Sequence, residues 1–386
     1  MLNVFAQTLG IALLVAAAVG VAYTVTAVAL WRRFASEIAS TMSAFPAVTI
    51  MKPLHGDEPN LYENLASFCD QDYPGRVQLL FGVQDPGDAS IAIVERVVVD
   101  RPHCDIQLEV APFVASANPK VATLVGLQVH IRHDVIVLSD SDIAVGRDYL
   151  AKVVAALDQP GVGLVTCLYR GEPRAGLWSR LAAMAIDYHF LPSVLVGLTL
   201  GLARPCFGST IALRRGTLAA IGGFEAYLAT LADDNAMGEA VRAAGLRVAI
   251  PPFVVAHACS ERSAKELLEH ELRWARTVRS VSPLGYAGSI VTHPLPLALL
   301  GAAVIGLPMF SVIIIGVSIA CRLVLQLQVD HALRVSASRW WLGPARDVLA
   351  FAIHVAGFFV GAVSWRGHRY EVRADGTLIP IEGQRK

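Results

Sequence analysis

The chain has 386 residues, of which 54% are hydrophobic and 17% charged, and its formal net charge is zero. Zero net charge excludes the basic excess that is typical of nucleic-acid-binding proteins, so we expect no nucleic-acid partner. The six cysteines form no CxxC pair and no cluster with histidine, which argues against a zinc site or a disulfide framework and fits a reducing cytoplasm.

An uncharged segment at the N-terminus runs from Val4 to Trp31. It is longer than the roughly 20 residues that cross a bilayer core. A cleaved signal peptide is the alternative, but positive charge precedes the apolar region of such peptides, whereas here Arg32 and Arg33 follow it. We therefore expect residues 1–33 to form a transmembrane anchor.

Strand-like apolar runs alternate with helical patterns over residues 45–286. The predicted strands are Ala47–Met51, Gln78–Val83, Ile106–Val110 and Val135–Leu138, and the predicted helices are Pro59–Asp70, Ser90–Arg101, Pro119–Ile131 and Arg147–Leu157. This alternation predicts an α/β domain with a mainly parallel sheet that is covered on both faces and binds ligands at the carboxyl ends of its strands. The absence of a GxGxxG sequence after the first strand, and of any Walker sequence, disfavours dinucleotide-binding and P-loop folds.

Asp85 follows the second predicted strand, in the sequence Gln84-Asp85-Pro86-Gly87. Turn chemistry is a sufficient explanation for an Asp before Pro, and the local sequence favours that explanation. In the functional alternative, the Asp85 carboxylate accepts hydrogen bonds from a nucleobase or a ribose.

Asp140 and Asp142 directly follow the buried strand Val135–Leu138. Carboxylates in a turn after such a strand suit Mg²⁺ or Mn²⁺, which prefer oxygen ligands and bridge to phosphate oxygens. The alternative is that they only cap the helix predicted to start near Arg147. The fold pattern favours the divalent metal site.

An apolar segment over residues 190–203 is too short to span a bilayer on its own. It either packs in the core or forms a lipid-facing surface beside an acceptor cleft.

Asp233 and Asp234 stand at the start of a helical run that ends at Gly245. One of them is a natural N-cap, and two adjacent carboxylates exceed what capping needs. We assign Asp234 as a general base for an acceptor hydroxyl and Asp233 as the cap or a supporting group.

His270, Arg273 and Trp274 share one face of a predicted helix because they stand at i, i+3 and i+4. Arg can bind phosphate through two hydrogen bonds, and an indole can stack on a sugar or a base. The alternative is a helix at the bilayer surface, where Arg and Trp are also common.

Two further apolar stretches predict that residues 287–366 form a C-terminal membrane region. They are Pro294–Ala320, which Pro308 interrupts, and Val348–Trp365, which contains His354. His354 is the only ionisable residue within these proposed spans, which disfavours a transporter. Arginines after the first span and in the tail place the central domain and the 367–386 tail in the cytoplasm. These residues are Arg32, Arg33, Arg366, Arg369 and Arg373.

Several short motifs in one order resemble the ceramide glucosyltransferase-like family, glycosyltransferase family 21, over nearly the whole chain. They are Lys52-Pro-Leu, Pro59-Asn-Leu, Asn64-Leu-Ala-Ser-Phe68, Asp72-Tyr-Pro74, Val83-Gln-Asp85, Asn118-Pro-Lys120, Asp140-Ser, Gly163-Leu-Val165, Asp233-Asp234, Arg273-Trp274, Ser364-Trp-Arg366 and Arg369-Tyr370. The resemblance implies a GT-A nucleotide-sugar domain with N-terminal and C-terminal transmembrane helices.

For the site, the resemblance implies that Asp85 binds the nucleotide, that Asp140 and Asp142 bind the metal-diphosphate, and that Asp234 is the base. Lys120, Asp233, His270, Arg273 and Trp274 are expected to contact substrate, with Arg273 and Trp274 closing the donor site. Two residues depart from the family pattern. His270 replaces a Gln or Arg, and Asp142 stands where animal ceramide enzymes tend to have a small residue.

Three motifs are most similar to the bacterial branch of this family that is associated with hopanoid biosynthesis. They are Cys167-Leu-Tyr-Arg-Gly171, Arg204-Pro-Cys-Phe-Gly-Ser-Thr210 and His270-Glu-Leu-Arg-Trp-Ala-Arg276. That similarity implies an inner-membrane enzyme that transfers N-acetylglucosamine from a UDP-sugar to a hopanoid hydroxyl. Ceramide or another lipid is the alternative acceptor. A processive polysaccharide synthase, a transporter and a non-catalytic membrane scaffold are less favoured functions.

Overall fold

The computed structural model describes residues 2–37, 44–112, 114, 116–334, 340–365, 368–373 and 376–381. The helices are α1 (Leu2–Ser36), α2 (Leu61–Cys69), α3 (Ser90–Asp100), α4 (Pro119–Leu127), α5 (Tyr149–Leu157), α6 (Leu177–Ala185), α7 (Leu191–Thr199), α8 (Arg215–Ala220), α9 (Asp233–Ala243), α10 (Ala264–Val281), α11 (Pro283–Gly288), α12 (Pro294–Ile305), α13 (Met309–Leu333) and α14 (Gly343–Gly357). The strands are β1 (Val48–Pro53), β2 (Val77–Val83), β3 (Asp105–Val110), β4 (Val135–Leu138), β5 (Ile143–Ala144), β6 (Val162–Thr166), β7 (Leu168–Pro173), β8 (Ile211–Arg214), β9 (Arg247–Ala249), β10 (Val254–Cys259), β11 (Ala362–Trp365), β12 (His368–Val372) and β13 (Leu378–Pro380).

The chain forms two compact units. The helical unit comprises Met1–Ser36, Gly171–Arg204 and Glu261–Ser364, and the sheet unit comprises Glu37–Arg170, Pro205–Ser260 and Trp365–Lys386. These units do not follow the boundaries expected at residues 45–286, 287–366 and 367–386, because each unit is assembled from segments that are distant in sequence. Arg366, used above to place the tail, lies outside the described residues.

The sheet unit is built on a seven-stranded sheet in the order β3-β2-β1-β4-β8-β6-β9. Within it β3, β2, β1 and β4 pair in parallel, and only β8 runs against its neighbours. Alternate residues of β1 face opposite sides, so Ile50 belongs to one apolar cluster and Met51 to another. The prediction of a mainly parallel sheet covered on both faces is therefore confirmed.

Register fixes which loops lie at the functional edge of this sheet. Met51 of β1 pairs with Leu138 of β4, and Pro53 of β1 pairs with Gly82 of β2. Because these three strands are parallel, the segments that follow them, which carry Asp85 and Asp140, emerge at the same edge.

The helical unit contains three helical segments that are long and apolar enough to cross a membrane, within the described residues. They are Val4–Ser36, Leu177–Thr199 and Met309–Leu333, and a fourth is possible if Pro283–Thr292 and Pro294–Ile305, which meet at a 71° bend, form one span. α1 packs closely on α12, where a Cβ added to Gly301 would lie 2.8 Å from Leu14 Cγ. Small residues commonly allow such close helix contacts in membranes.

Two expectations for apolar segments are wrong. The 190–203 segment is not an isolated short stretch, because its helical part continues α6 through a π-helical turn at Ile186–Phe190 into a 23-residue helix. The Val348–Trp365 stretch is not one span, because α14 ends at Gly357 and a strand begins at Ala362. A 15-residue helix is about 22 Å long at 1.5 Å per residue, which is shorter than the bilayer core.

His354 is also not the only ionisable residue in the helical segments. The α13 helix continues past Ala320 and includes Arg322, which donates to the Asp347 carboxylate at 2.7–3.1 Å and to the Tyr188 carbonyl at 2.8 Å. Both charged side chains are about 95% buried. This internal pairing accounts for the charges without a transport path.

Candidate active site

Asp140 and Asp142 lie in the turn between β4 and β5, residues 139–143, which we call the DxD loop. The capping alternative for these residues is wrong, since α5 begins at Tyr149 after Asp148 and no side chain caps it. The two carboxylates are therefore available for another role.

Lys120 lies between carboxylates of two different segments. Its Nζ is 2.8 Å from Asp140 Oδ1 and 3.5 Å from Asp233 Oδ2. Burial acts to lower the pKa of Lys120, but the surrounding carboxylates outweigh it and raise the pKa above its ordinary value. Lys120 reaches this position from the first turn of α4, which Asn118 caps by accepting a hydrogen bond from the Val121 N–H.

Asn118 also connects this turn to the second acidic pair. Its Nδ2 donates to Asp233 Oδ1 at 3.1 Å and to the Thr230 carbonyl at 2.8 Å. The expectation that Asp233 or Asp234 is the N-cap of α9 is wrong. Ala232 is the N-cap, and both aspartates belong to the first helical turn, where the helix dipole favours negative charge.

Gly208 joins the two acidic pairs through its backbone. Its N–H donates to Asp234 Oδ2 at 2.8 Å, and its carbonyl accepts the Asp140 N–H at 3.2 Å. A Cβ at Gly208 would lie 2.6 Å from Asp140 Oδ2 and 2.8 Å from Lys120 Nζ. Asp140, Lys120 and Asp234 therefore converge around one residue that has no side chain.

Asp234 has the electrostatic properties of a base that works near neutral pH. Burial, followed by repulsion from Asp233, raises its pKa to about 6. The attraction of Lys120 and the N–H of Asn235, which donates at 2.7 Å, act in the opposite direction. Asp234 is therefore mostly ionised at pH 7 and more basic than an exposed aspartate.

Asp142 is paired with a histidine that is distant in sequence. His257 Nε2, on β10, lies 3.2 Å from Asp142 Oδ2, and the His257 side chain is about 90% buried. Burial alone would lower the pKa of His257, but the Asp142 carboxylate raises it well above its ordinary value. The Asp142 carboxylate therefore favours the protonated form of His257.

The DxD loop fits a divalent metal that is shared with a substrate phosphate. Among the described residues no group of three His, Cys, Asp or Glu side chains forms a complete metal site. Mg²⁺, however, is usually held by one or two carboxylates together with phosphates and water. Asp140 and Asp142 supply that donor set, and the absence of a side chain at Gly208 lets Asp140 Oδ2 and Lys120 Nζ approach its backbone closely.

Asp85 lies at the same sheet edge but forms a local turn, in which its Oδ1 accepts the Gly87 N–H at 2.8 Å. The turn explanation is thus confirmed. Since β1 separates β2 from β4, the ends of β2 and β4 are about two strand spacings, roughly 10 Å, apart. The exposed Asp85 carboxylate is compatible with a nucleotide contact at this edge.

The remaining predicted residues lie on α10 of the helical unit. Ser263 caps this helix by accepting the Glu266 N–H, and His270, Arg273 and Trp274 follow on one face. His270 and Trp274 rings are 4.5 Å apart in an edge-to-face contact, and His270 Nδ1 lies 2.5 Å from Glu261 Oε1. The predicted helical spacing is confirmed.

Sequence reasoning missed three contributors to these sites. Gly208 was noted only as part of a motif, although a Gly between the DxD and Asp-Asp sequences was a usable signal. His257 and Glu261 gave no signal, because neither stands in a motif and each acts through a partner elsewhere in the chain.

Comparisons with known proteins give a family and a fold. A profile of the family described as "Glycosyl transferase family 21" matches residues 12–378. "Ceramide glucosyltransferase 1" of Caenorhabditis elegans is 25% identical over 206 residues, which cover 53% of this chain and 44% of that protein. An "N-acetylglucosaminyltransferase" of Bradyrhizobium diazoefficiens is 26% identical over 243 residues, which cover 60% and 49%. The matched region thus spans about half the length of these relatives.

Among solved structures, the mannosyltransferase PcManGT from Pyrobaculum calidifontis, in complex with GDP-Man and Mn²⁺, has a TM-score of 0.53 and 21% identity. The similarity covers 91% of this chain and 99% of that one. At this identity it shows the fold, a GT-A-like glycosyltransferase fold, and the predicted fold class is confirmed.

The contacts of Gly208 lead to a testable prediction. In Gly208→Ala the new methyl group displaces Asp140 Oδ2 and Lys120 Nζ, which are the mobile ends of side chains, so the fold survives while the pair separates. We expect Mn²⁺-dependent UDP binding to fall at least tenfold with little change in melting temperature.

Gly216→Ala is the matched control, because a Cβ there has no neighbour within 4 Å and α8 gains helix propensity of about 1 kcal/mol. Wild-type UDP affinity in Gly208→Ala, measured by calorimetry, would show that this contact does not position Asp140.

Proposed function

The chain belongs to glycosyl transferase family 21, and on that premise we propose that it is a membrane-bound inverting glycosyltransferase that moves a sugar from a UDP-sugar to a lipid hydroxyl. The observation that carries this proposal is the position of Gly208 between Asp234 and Asp140. Asp234, which can remove a proton from an acceptor hydroxyl, is therefore next to Asp140, one of the two carboxylates proposed to hold the metal-diphosphate.

The reaction is a single displacement. Asp234 accepts the proton of the acceptor hydroxyl, whose oxygen attacks C1 of the donor sugar from the face opposite the leaving group. The C1–O bond to UDP breaks, and its electron pair leaves with the diphosphate, so the configuration at C1 inverts. Lys120 supplies a positive charge close to Asp140, where it can also bind the diphosphate.

A bound Mg²⁺ or Mn²⁺, held by Asp140 and Asp142, would neutralise negative charge on the departing diphosphate. Asp85 is proposed to contact the nucleotide, and Asp233 to support Asp234 and Lys120. On α10, His270, Arg273 and Trp274 are proposed to bind the donor, with Arg273 on phosphate and the indole on a ring.

The sugar is proposed to be N-acetylglucosamine and the acceptor a hopanoid of the bacteriohopanetetrol type. The bacterial relative named N-acetylglucosaminyltransferase supports the sugar, and the three branch-specific motifs support the acceptor. The ceramide glucosyltransferase relatives favour glucose and ceramide as the second candidate pair. We propose that the enzyme lies in the bacterial inner membrane with its sheet unit in the cytoplasm, an orientation that the arginine distribution supports.

Product analysis tests the substrate pair. Membranes containing the chain, incubated with a panel of UDP-sugars and lipid extract, should yield a lipid whose mass increases by one N-acetylhexosamine. An increase by one hexose on ceramide would select the second candidate. The absence of any glycosylated lipid across the panel would contradict the proposed function.

Replacing the base isolates its contribution. Asp234→Asn keeps the side-chain size but cannot accept the proton, so transfer should fall by about 10²–10⁴-fold while UDP binding is retained. Asp158→Asn, at an exposed carboxylate that pairs with Arg214, is the control and should have normal activity. Wild-type turnover in Asp234→Asn would remove Asp234 from the mechanism.

The raised pKa of Asp234 predicts a pH profile. Because the ionised form is the active base, kcat/KM should be half-maximal at the pKa of about 6, level off above about pH 7 and fall about tenfold per pH unit well below the pKa. This acidic limb should be lost in the residual activity of Asp234→Asn. A wild-type profile that is flat from pH 4.5 to 8 would assign the proton transfer to another group.

A further inference from the structure

Two of the sequence motifs have no role in the proposed chemistry, and both lie against the backbone of the DxD loop. Lys52, from Lys52-Pro-Leu, is fully buried near the end of β1. Its Nζ donates to the Asp140 carbonyl at 2.8 Å and lies 3.4 Å from both the Ile143 carbonyl and the Ser139 hydroxyl. Its three donor positions are thus all directed at one five-residue loop.

The second motif, Asn64-Leu-Ala-Ser-Phe68 on α2, contacts the same segment. Asn64 Nδ2 donates to the Ser141 carbonyl at 3.1 Å, and Ser67 Oγ accepts the Val145 N–H at 3.1 Å. The Phe68 ring lies beneath the Lys52 ammonium, 3.7 Å from Nζ to the ring centroid. The carbonyls of residues 140, 141 and 143 are therefore all bonded by buried side chains of β1 and α2.

The energetic cost of these contacts argues that they do more than fill space. Burying an ammonium is unfavourable unless it is well paired. The hydrogen bonds of Lys52 go to backbone carbonyls and a hydroxyl, while Asp142, Asp140 and Glu58 attract it electrostatically. Asn64 is fully buried, and among the residues that the structure describes its Oδ1 has no hydrogen-bond partner, so its amide is committed to the Ser141 carbonyl. An apolar residue would pack at either position at lower desolvation cost.

We propose that Lys52 and Asn64, with Phe68 and Ser67 in support, are positioning residues that fix the DxD loop so that its carboxylates are pre-oriented for the metal-diphosphate. The role rests on the proposed function, since it concerns the same metal site. It is an indirect one, because the hydrogen bonds of both side chains go to the loop backbone at the Asp140, Ser141 and Ile143 carbonyls. Residues that orient metal ligands in this way typically change metal affinity by about 10–100-fold when they are replaced.

The test uses the full-length chain in detergent, with Mn²⁺ and UDP as the probes. Asn64→Leu keeps the side-chain shape and removes the amide, and Lys52→Met keeps the length and the contact with Phe68. We expect both variants to bind UDP about 10–100-fold more weakly in the presence of Mn²⁺. We also expect faster hydrogen exchange of the amides of residues 139–145.

Thr49→Val is the matched control on the same strand. Thr49 is fully buried and donates to Gln78 Oε1 at 2.8 Å, but none of its hydrogen bonds reaches the DxD loop. It should lose thermal stability as Asn64→Leu does, yet keep wild-type UDP affinity and loop exchange. If Asn64→Leu behaves like Thr49→Val in both measurements, the positioning role is wrong.

UDP binding and hydrogen exchange together distinguish a failure of this positioning role from a failure of the proposed function. A wild-type chain that binds no UDP with Mn²⁺ contradicts the proposed function, while the exchange rates of residues 139–145 still decide whether Asn64 orders the loop. If Lys52→Met does not fold, Asn64→Leu alone decides the outcome, because it removes one hydrogen bond and introduces no unpaired charge.

Discussion

Like charges held close together are the constraint on which the site depends. Asp140, Asp233 and Asp234 lie around Lys120, and Asp142 follows two residues after Asp140. Carboxylates this close repel one another, and each remains ionised only if cations or hydrogen-bond donors compensate. Lys120 and His257 supply two positive charges to four acids. Burial, followed by repulsion from Asp233, raises the pKa of Asp234, and the remaining negative charge provides an electrostatic reason for the site to accept a divalent cation.

Backbone groups and buried side chains together keep these acids in place. Gly208 bonds the Asp234 carboxylate and the Asp140 N–H, and the buried Lys52 bonds the Asp140 carbonyl. Lys120 and His257 lie within ion-pair distance of the Asp140 and Asp142 carboxylates. A bound metal-diphosphate would therefore share the oxygens of Asp140 and Asp142 with Lys120 and His257.

Local patterns were enough to predict the strands and helices that build the functional edge. Val135–Leu138 was predicted with the observed bounds, and the strand and helix ends around Asp85 and Lys120 differ by only a few residues. These elements have strong periodicity and clear end signals, such as Asn118 and Pro119 before α4. The acidic residues were found for the same reason, because each stands at the end or the start of such an element.

Features that depend on tertiary contacts could not be predicted in this way. The helix through residues 177–199 was underestimated because Asp187 and His189 interrupt its apolar run, and only the folded helical unit shows that Asp187 is buried with a hydrogen bond to the Gly171 N–H. Asp233 was expected to cap α9 because capping is a local rule, yet contacts with Asn118 and Lys120, more than 110 residues earlier, hold it inside the first turn. At both places a contact with a residue distant in sequence outweighs the local sequence preference.

Both departures from the family pattern lie next to a buried ionisable residue. Asp142 adds a carboxylate to an already acidic site, and His257 on β10 lies 3.2 Å from it. His270 replaces a Gln or Arg, and the buried Glu261 lies 2.5 Å from its ring. Burying an ionisable side chain without a partner is unfavourable, and each partner offsets part of that cost. Asp142 and His270 thus each depart from the family pattern at a place where another side chain of the fold contacts them.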